Sequence, residues 1–329
     1  MNNSQDIKLD LFLYQRAFEL LLKAKNVLLV THLNPDGDAL GSLCFTIGLL
    51  KDKGIKYTAY CAGPLPDHFS FLPYFSEIIT DKSLLKLANY DLIVSLDCGS
   101  VKRTNLLEEI NARLDGQFFM EIDHHTSEEG LSDFVLRDPL AASTTEILEQ
   151  IIKAAGYVPS PPLARCLLTG LVTDTGGFIY PATSRQTMFA ASQMLSRGAN
   201  VFKIMDNTWR TKSLPDLRLW GLALARLSVN PLYNLAFTVI TEEDMKETGA
   251  DHEAISGLAG FITSSPEFAA VLVLHEEDGF VRGSLRTTRD DVDVSALAKL
   301  FGGGGHTKAS GFSIAGRLKL TPKGWTLEK

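Results

Sequence analysis

The 329-residue sequence predicts an α/β protein: an N-terminal doubly wound parallel-sheet domain, a helical connector and a smaller C-terminal α/β unit. Three observations predict it. Short, almost uniformly apolar runs alternate with amphipathic stretches through the first half, the pattern of strands buried on both faces. Three of those runs end in acidic or imidazole side chains: "NVLLVTHLNPDGD", "DLIVSLD" and "QFFMEID". After Asn230 and Pro231 the alternation restarts on a smaller scale.

The elements follow in order. Helical periodicity over 11–24 leads to a strand over 26–31, then a helix from about 37 to 52 with Gly54 as its stop signal. "KYTAYC", 91–97 and 117–123 read as further strands. "STTEILEQIIKAAG" is a helix with Ser143 as N-cap, Glu146 three residues on and Gly156 just past its end. The stretch 187–228 is mostly helical, with "LPDLRLWGLALARL" at its close. Then come a strand in "YNLAFTVIT", a helix near 241–248, and a hairpin joining "EFAAVLVLH" to "GFVRGSLRT" across "EEDG". A helix, a glycine run and a last strand, "GFSIAG", finish the chain. The expected division is a catalytic domain over 1–190, a connector over 191–228 and a second domain over 229–329.

Composition narrows the class. Apolar residues make up 45% and charged residues 22%, as in ordinary globular proteins. No apolar run approaches a bilayer span and no signal pattern opens the chain, so a soluble cytoplasmic protein without a membrane partner is expected. Cys44, Cys61, Cys98 and Cys166 show no CxxC spacing and read as reduced core thiols. The net charge is −7, yet residues 280–329 hold nine Lys/Arg against four Asp/Glu, giving +5 there and −12 elsewhere. That asymmetry points to an anionic ligand handled from the C-terminal end; the plain alternative is a solvated surface.

The chemistry-bearing residues gather at the strand ends. They are His32, Asp36 and Asp38; Asp97; Asp123, His124 and His125; and Asp174 in "LVTDTGGF". Any single Asp after a strand is more often a helix N-cap than a ligand. Together they are different, because several carboxylates at one sheet edge repel one another unless a countercharge is present. Divalent cations supply it, and a mixed carboxylate and imidazole set favours Mn²⁺ or a related first-row metal over Ca²⁺. The set is large enough for two ions with one bridging carboxylate, an arrangement that clamps both oxygens of a phosphoryl displacement. Downstream, "FGGGGHTKASG" offers backbone N–H groups to an anion if the glycine run opens onto a short helix, and Arg286 could add a charged donor. The run lacks the GK[ST] ending of a Walker A loop.

"HLNPDGDALGS", "DCGSVKR", "IDHH", "TDTGGF" and "FGGGGHTKASG", in this order over positions 32–311, resemble the DHH/DHHA1 phosphoesterase family. Within it the chain looks most like the bacterial nanoRNase group, oligoribonucleases that also act as phosphatases on 3′-phosphoadenosine 5′-phosphate (pAp). The resemblance implies that His32, Asp36 and Asp97 hold one divalent ion, and that Asp38, Asp97, His124 and Asp174 hold the other. Mn²⁺ is expected ahead of Mg²⁺ or Co²⁺. It further implies that Asp123 orients a histidine, that His125 faces the phosphate, and that Arg286, Gly303, Gly304, Gly305 and His306 contact the nucleotide. Arg103, a basic position in "DCGSVKR", is a further candidate for substrate contact, the plain alternative being a helix cap or a surface ion pair. Expected substrates are short single-stranded RNA, linear dinucleotides and pAp, and a homodimer is compatible with all of this. The rivals are a cyclic-dinucleotide phosphodiesterase, a RecJ-like single-strand exonuclease, a pyro- or polyphosphatase, and a non-enzymatic nucleotide sensor. The glycine run and basic tail weigh against a polyphosphatase, and the filled ligand set against a sensor. The lack of a long basic tract weighs against an exonuclease that tracks long strands.

Overall fold

Apolar runs with no polar face are satisfied only between two layers, and the first six strands lie in such a place. β1 (Asn26–Thr31), β2 (Lys56–Cys61), β3 (Ile78–Ile79), β4 (Leu92–Leu96), β5 (Phe118–Asp123) and β6 (Phe134–Arg137) form one sheet in the order β3-β2-β1-β4-β5-β6. Every pairing in it is parallel. The computed structural model describes residues 3–126, 130–208, 212–322 and 324–328. The chain divides into two units, Met1–Thr211 and Lys212–Lys329.

In the first unit the period-2 geometry of β1 divides its side chains between two cores. Val27 and Leu29 join a large cluster with Leu43, Ile47, Val94, Ile151 and Leu167. Leu28 and Val30 join a smaller one with Tyr60, Ile93 and Phe119. The helices of this unit are α1 (Asn3–Lys23), α2 (Gly37–Asp52), α3 (Leu107–Asn111), α4 (Thr144–Ala154), α5 (Pro161–Asp174), α6 (Arg185–Ser196) and α7 (Val201–Thr208). Because β1 has β2 on one side and β4 on the other, the strand order reverses there, and ligands of open α/β sheets bind beyond the carboxyl ends at that reversal. Helices α2 and α5 approach closely because glycine lines their contact. A Cβ on Gly41 would lie 2.6 Å from Cys166 O, and one on Gly170 would lie 2.2 Å from Asp38 Oδ1. All four cysteines are free and buried.

The second unit contains α8 (Leu214–Ala225), β7 (Ser228–Asn230), β8 (Leu235–Ile240), α9 (Glu242–Thr248), α10 (Leu258–Ile262), β9 (Ala270–Glu277), β10 (Phe280–Arg286) and α11 (Val294–Leu300), followed by β11 (Gly304–Gly305), β12 (Ala309–Ala315), β13 (Arg317–Thr321) and β14 (Gly324–Glu328). β7 to β12 form a mixed sheet in the order β11-β12-β10-β9-β8-β7, in which β8 and β9 run parallel. The expected hairpin is β9–β10, closed by Asp278 and Gly279 with φ of 52° and 79°. Two positive φ values in a two-residue loop suit the right-handed twist of the strands.

Two expectations need correction here. The glycine run does not open onto a helix: it follows α11, and Gly304 and Gly305 pair with Gly311 and Ser310 as the edge strand β11. Glycine is needed for close approach, since a Cβ on Gly303 would lie 2.1 Å from Gly311 O. Nor is "GFSIAG" the last strand, because the β13–β14 hairpin follows it. Among the described residues, no helix is long and apolar enough to cross a membrane.

Candidate metal centre

Three segments at the carboxyl edge of the parallel sheet, together with the end of α5, build this site. The loop after β1 carries His32 and Asp36. Asp36 is the N-cap of α2: its Oδ1 accepts from Asp38 N (3.1 Å) and Ala39 N (3.0 Å). Its Oδ2 stands 3.9 Å from His32 Nε2. The capping and ligand readings of this residue are therefore compatible, one oxygen for each. His32 Nδ1 lies 2.8 Å from Leu33 O. A carbonyl can only accept, so Nδ1 carries the proton and Nε2 presents its lone pair to the site.

Asp97 follows β4 with φ of 59°, a left-handed conformation that costs a non-glycine residue about 1 kcal/mol or more. Its N–H still donates to Ile122 O at 3.1 Å, so the parallel ladder holds it in place. Its two oxygens face different partners. Oδ1 is 3.5 Å from His124 Nε2 and accepts from Thr144 Oγ1 at 3.0 Å. Oδ2 is 3.9 Å from His32 Nε2. Asp38, in the first turn of α2, is fully buried and accepts Thr144 N (2.6 Å) on Oδ2 and Thr145 N (3.0 Å) on Oδ1. Those donors are the first-turn amides of α4, the positive end of its dipole. Asp174 ends α5, with Oδ2 3.3 Å from His124 Nε2.

Asp123 positions the second histidine of the pair. Its Oδ1 accepts both His125 N (2.9 Å) and His125 Nδ1 (2.8 Å), and its Oδ2 accepts Gly99 N (2.6 Å). Three groups thus place ligand atoms within 4.8 Å of one another: His32, Asp36 and Asp97; Asp38, His124 and Asp174; and Asp97, His124 and His125. Donors bound to one ion at about 2.1 Å lie about 3–3.5 Å apart, close to these separations. Asp97 belongs to two of the groups, the position a bridging carboxylate would take.

The electrostatics fit cations. Burial, reinforced by Asp38, Asp36, Asp174 and Asp123, drives the Asp97 carboxyl well above its ordinary range. Burial and the neighbouring Asp38 and Asp36 do the same to Asp174, and burial raises Asp38. Burial also holds His32 below its usual value, in the neutral form that binds metals. At Asp123 burial pushes upward, but hydrogen bonds from His125 and Gly99 outweigh it and bring the carboxyl to about 2. Among the described residues, no Lys or Arg ion-pairs with any of these five aspartates.

The remaining candidate residues lie elsewhere. Arg103 sits on the turn after β4, with Nη1 donating to Cys98 O at 3.1 Å. Arg286, Gly303, Gly304, Gly305 and His306 belong to the second unit. Arg286 ends β10 opposite Ala309, and His306 N donates to Ala309 O at 2.7 Å across the turn into β12. Lys308 is held by Asp290 at 2.9 Å. Thr144 and Thr145 are contributors that sequence reasoning missed; "STT" reads only as a helix start, and nothing in it shows that its amides meet Asp38.

The chain matches the DHH family, N-terminal domain, over residues 26–171 and the DHHA1 domain over residues 233–321. It is similar to the bifunctional oligoribonuclease and PAP phosphatase NrnA of Thermus thermophilus, 27% identical over 88% of this chain and 84% of that protein. The protein of the same name from Bacillus subtilis is 25% identical over 88% of this chain and 89% of its own. The crystal structure of an exopolyphosphatase-related protein from Bacteroides fragilis superposes with a TM-score of 0.85 at 28% identity, covering 92% of this chain and 91% of that one.

Proposed function

The chain belongs to the DHH family and carries a DHHA1 domain, and on that premise we propose that it is a metal-dependent phosphoesterase. Its substrates are short oligoribonucleotides, cleaved to nucleoside monophosphates, and pAp, cleaved to AMP and phosphate. The observation that carries the reading is the convergence of His32, Asp36 and Asp97 in one group and of Asp38, His124 and Asp174 in another, with Asp97 Oδ1 3.5 Å from the His124 Nε2 of the second. Two divalent ions, Mn²⁺ by the donor set, would be held by His32, Asp36 and Asp97 and by Asp38, Asp97, His124 and Asp174. Such ions neutralise charge on a phosphoryl group and make water acidic enough to attack at neutral pH. The chain's own part is positioning. Thr144 and Thr145 orient Asp38, and Thr144 also fixes one oxygen of Asp97. Asp123 holds the Nδ1 proton of His125, so proton exchange with the substrate runs through Nε2. In the DHHA1 domain, Arg286 and His306 would hold the nucleotide.

A timed digestion of labelled 2-mer, 5-mer and 24-mer RNA, pAp, a cyclic dinucleotide and inorganic polyphosphate, in Mn²⁺ and in Mg²⁺, tests this. Dimers to pentamers should be cleaved faster than the 24-mer, with a shallow salt dependence, because the basic excess is small and local. Rates that rise with length, or polyphosphate as the preferred substrate, would replace the short-nucleotide reading with an exonuclease or an exopolyphosphatase.

A further inference from the structure

The two loops that carry His32, Asp36 and Asp97 continue into a second surface. Leu33 N donates to Arg103 O at 2.7 Å, which ties the loop after β1 to the turn after β4. There a cleft of about 510 Å³ opens, lined by Leu33, Asn34, Lys102, Arg103 and Asn105. Lys102 and Arg103 are exposed, and neither pairs with a carboxylate among the described residues. The Arg103 guanidinium also borders the metal-side residues. A Cβ on Gly99 would lie 3.4 Å from Arg103 Nη1 and 3.3 Å from the His125 ring, so these two groups flank the same backbone atom.

Two uncompensated cations beside two side-chain amides suit a phosphate, which takes charge-assisted hydrogen bonds from both. The aspartate cluster beside them has the opposite character: it gathers cations and so handles a phosphate only through them. We propose that the cleft lined by Asn34, Lys102, Arg103 and Asn105 is a subsite for a second phosphate of the substrate. The 5′-phosphate of pAp would sit there while its 3′-phosphate lies at the aspartate cluster; on an oligonucleotide the neighbouring phosphate takes the same place. The proposal rests on the phosphoesterase reading and adds to it a substrate requirement: two phosphates on one molecule.

The test compares pAp with adenosine 3′-monophosphate, which has the same scissile 3′-phosphate and lacks only the 5′-phosphate. kcat/KM for both is measured in Mn²⁺ with the wild type, Lys102→Gln, Arg103→Gln and Lys102→Arg. The wild type should favour pAp by about tenfold or more, the effect of a charge-assisted contact. Lys102→Gln and Arg103→Gln should each remove most of that preference by weakening pAp, and Lys102→Arg should keep it. Lys102 is exposed, so folding is not at stake. Hydrolysis of both compounds at equal efficiency by the wild type, or an unchanged ratio in both Gln variants, overturns the subsite and leaves the phosphoesterase reading standing. Hydrolysis of neither, with a dinucleotide also intact, overturns both.

Discussion

The two units differ in how their clustered carboxylates are balanced. In the second, Asp244 and several surface acids meet Arg or Lys. Arg226 grips Asp244 with two hydrogen bonds, Arg282 meets Glu277 at 2.7 Å, Arg289 meets Asp291 at 2.7 Å, and Lys308 meets Asp290 at 2.9 Å. Most of these are exposed pairs, each worth about 1 kcal/mol or less. The first unit has ion pairs too, such as Arg137 with Glu121 at 3.0 Å, but it gathers Asp38, Asp97 and Asp123, each 2% exposed or less, with no Lys or Arg ion pair to them among the described residues. It holds them with backbone N–H groups and imidazoles, which fix direction without cancelling charge. A frame that leaves such a deficit uncancelled is more costly than one that cancels it, unless a ligand completes it. The contrast supports the proposed metal site: the carboxylate cluster left without a Lys or Arg partner is the one that cations would complete.

The largest expected effect breaks this contrast at its centre. Asp97→Ala should lower kcat/KM by about a thousandfold or more and reduce bound Mn²⁺, with the circular dichroism spectrum kept. Asp97→Asn should have a metal-free Tm at or above that of the wild type, because it removes a buried like charge. Near-native metal content with high activity would remove Asp97 from the site; a metal-free Asn variant that melts well below wild type would mean the carboxylate is compensated after all.

A pair of glycines sharpens the contrast through packing. Gly170 in α5 has Asp38 Oδ1 and Thr145 Oγ1 at 2.2 and 2.4 Å from where a Cβ would be, whereas Gly221 in α8 has nothing within 4 Å. Gly170→Ala should destabilise by about 1–3 kcal/mol and lower turnover as Asp38 shifts. Gly221→Ala should stabilise by about 0.5–1 kcal/mol, the ordinary helix propensity gain. Urea unfolding of both reads the signs directly, and equal signs would mean that the contact between α2 and α5 is looser than described.

The smallest effect concerns the second unit. At Asp244 burial pushes the carboxyl upward, but hydrogen bonds from Arg226 and Thr241 win and hold it below its ordinary value. A depressed folded-state carboxyl contributes stability that is present above its unfolded value of about 4 and is lost as the pH falls through the folded value. Arg226→Ala should therefore cost about 1–2 kcal/mol near neutral pH and flatten the loss of stability in acid, with Mn²⁺ content unchanged. Denaturation curves from pH 2.5 to 6 would show a parallel, unflattened acid limb if the pair carries no pH-dependent stability.

Much of this was legible because the informative signals are local. β1, β4 and β5 declared themselves as apolar runs, and α4 by Ser143, whose side chain accepts Glu146 N at 3.1 Å. What escaped has physical reasons too. β3 has two residues and β6 four, too short for a periodic pattern to build up. The run "GGGG" has no side chains, so nothing in it distinguishes a turn, an anion-binding loop and the edge strand that part of it forms with Gly311 and Ser310.

The sequence by itself determined the residue types at the strand ends and their order, because strand period, capping and charge are written within a few neighbouring positions. Only the tertiary structure decided which atoms meet. The amides of Thr144 and Thr145 reach Asp38 across more than a hundred residues, and they do so because Gly41 and Gly170 let α2 and α5 close together. Leu33 meets Arg103 because β1 and β4 are neighbours in the sheet, and their pairing forms the cleft at Lys102. Such contacts follow from the strand order and from the distance at which helices pack, and neither is a local property of the chain.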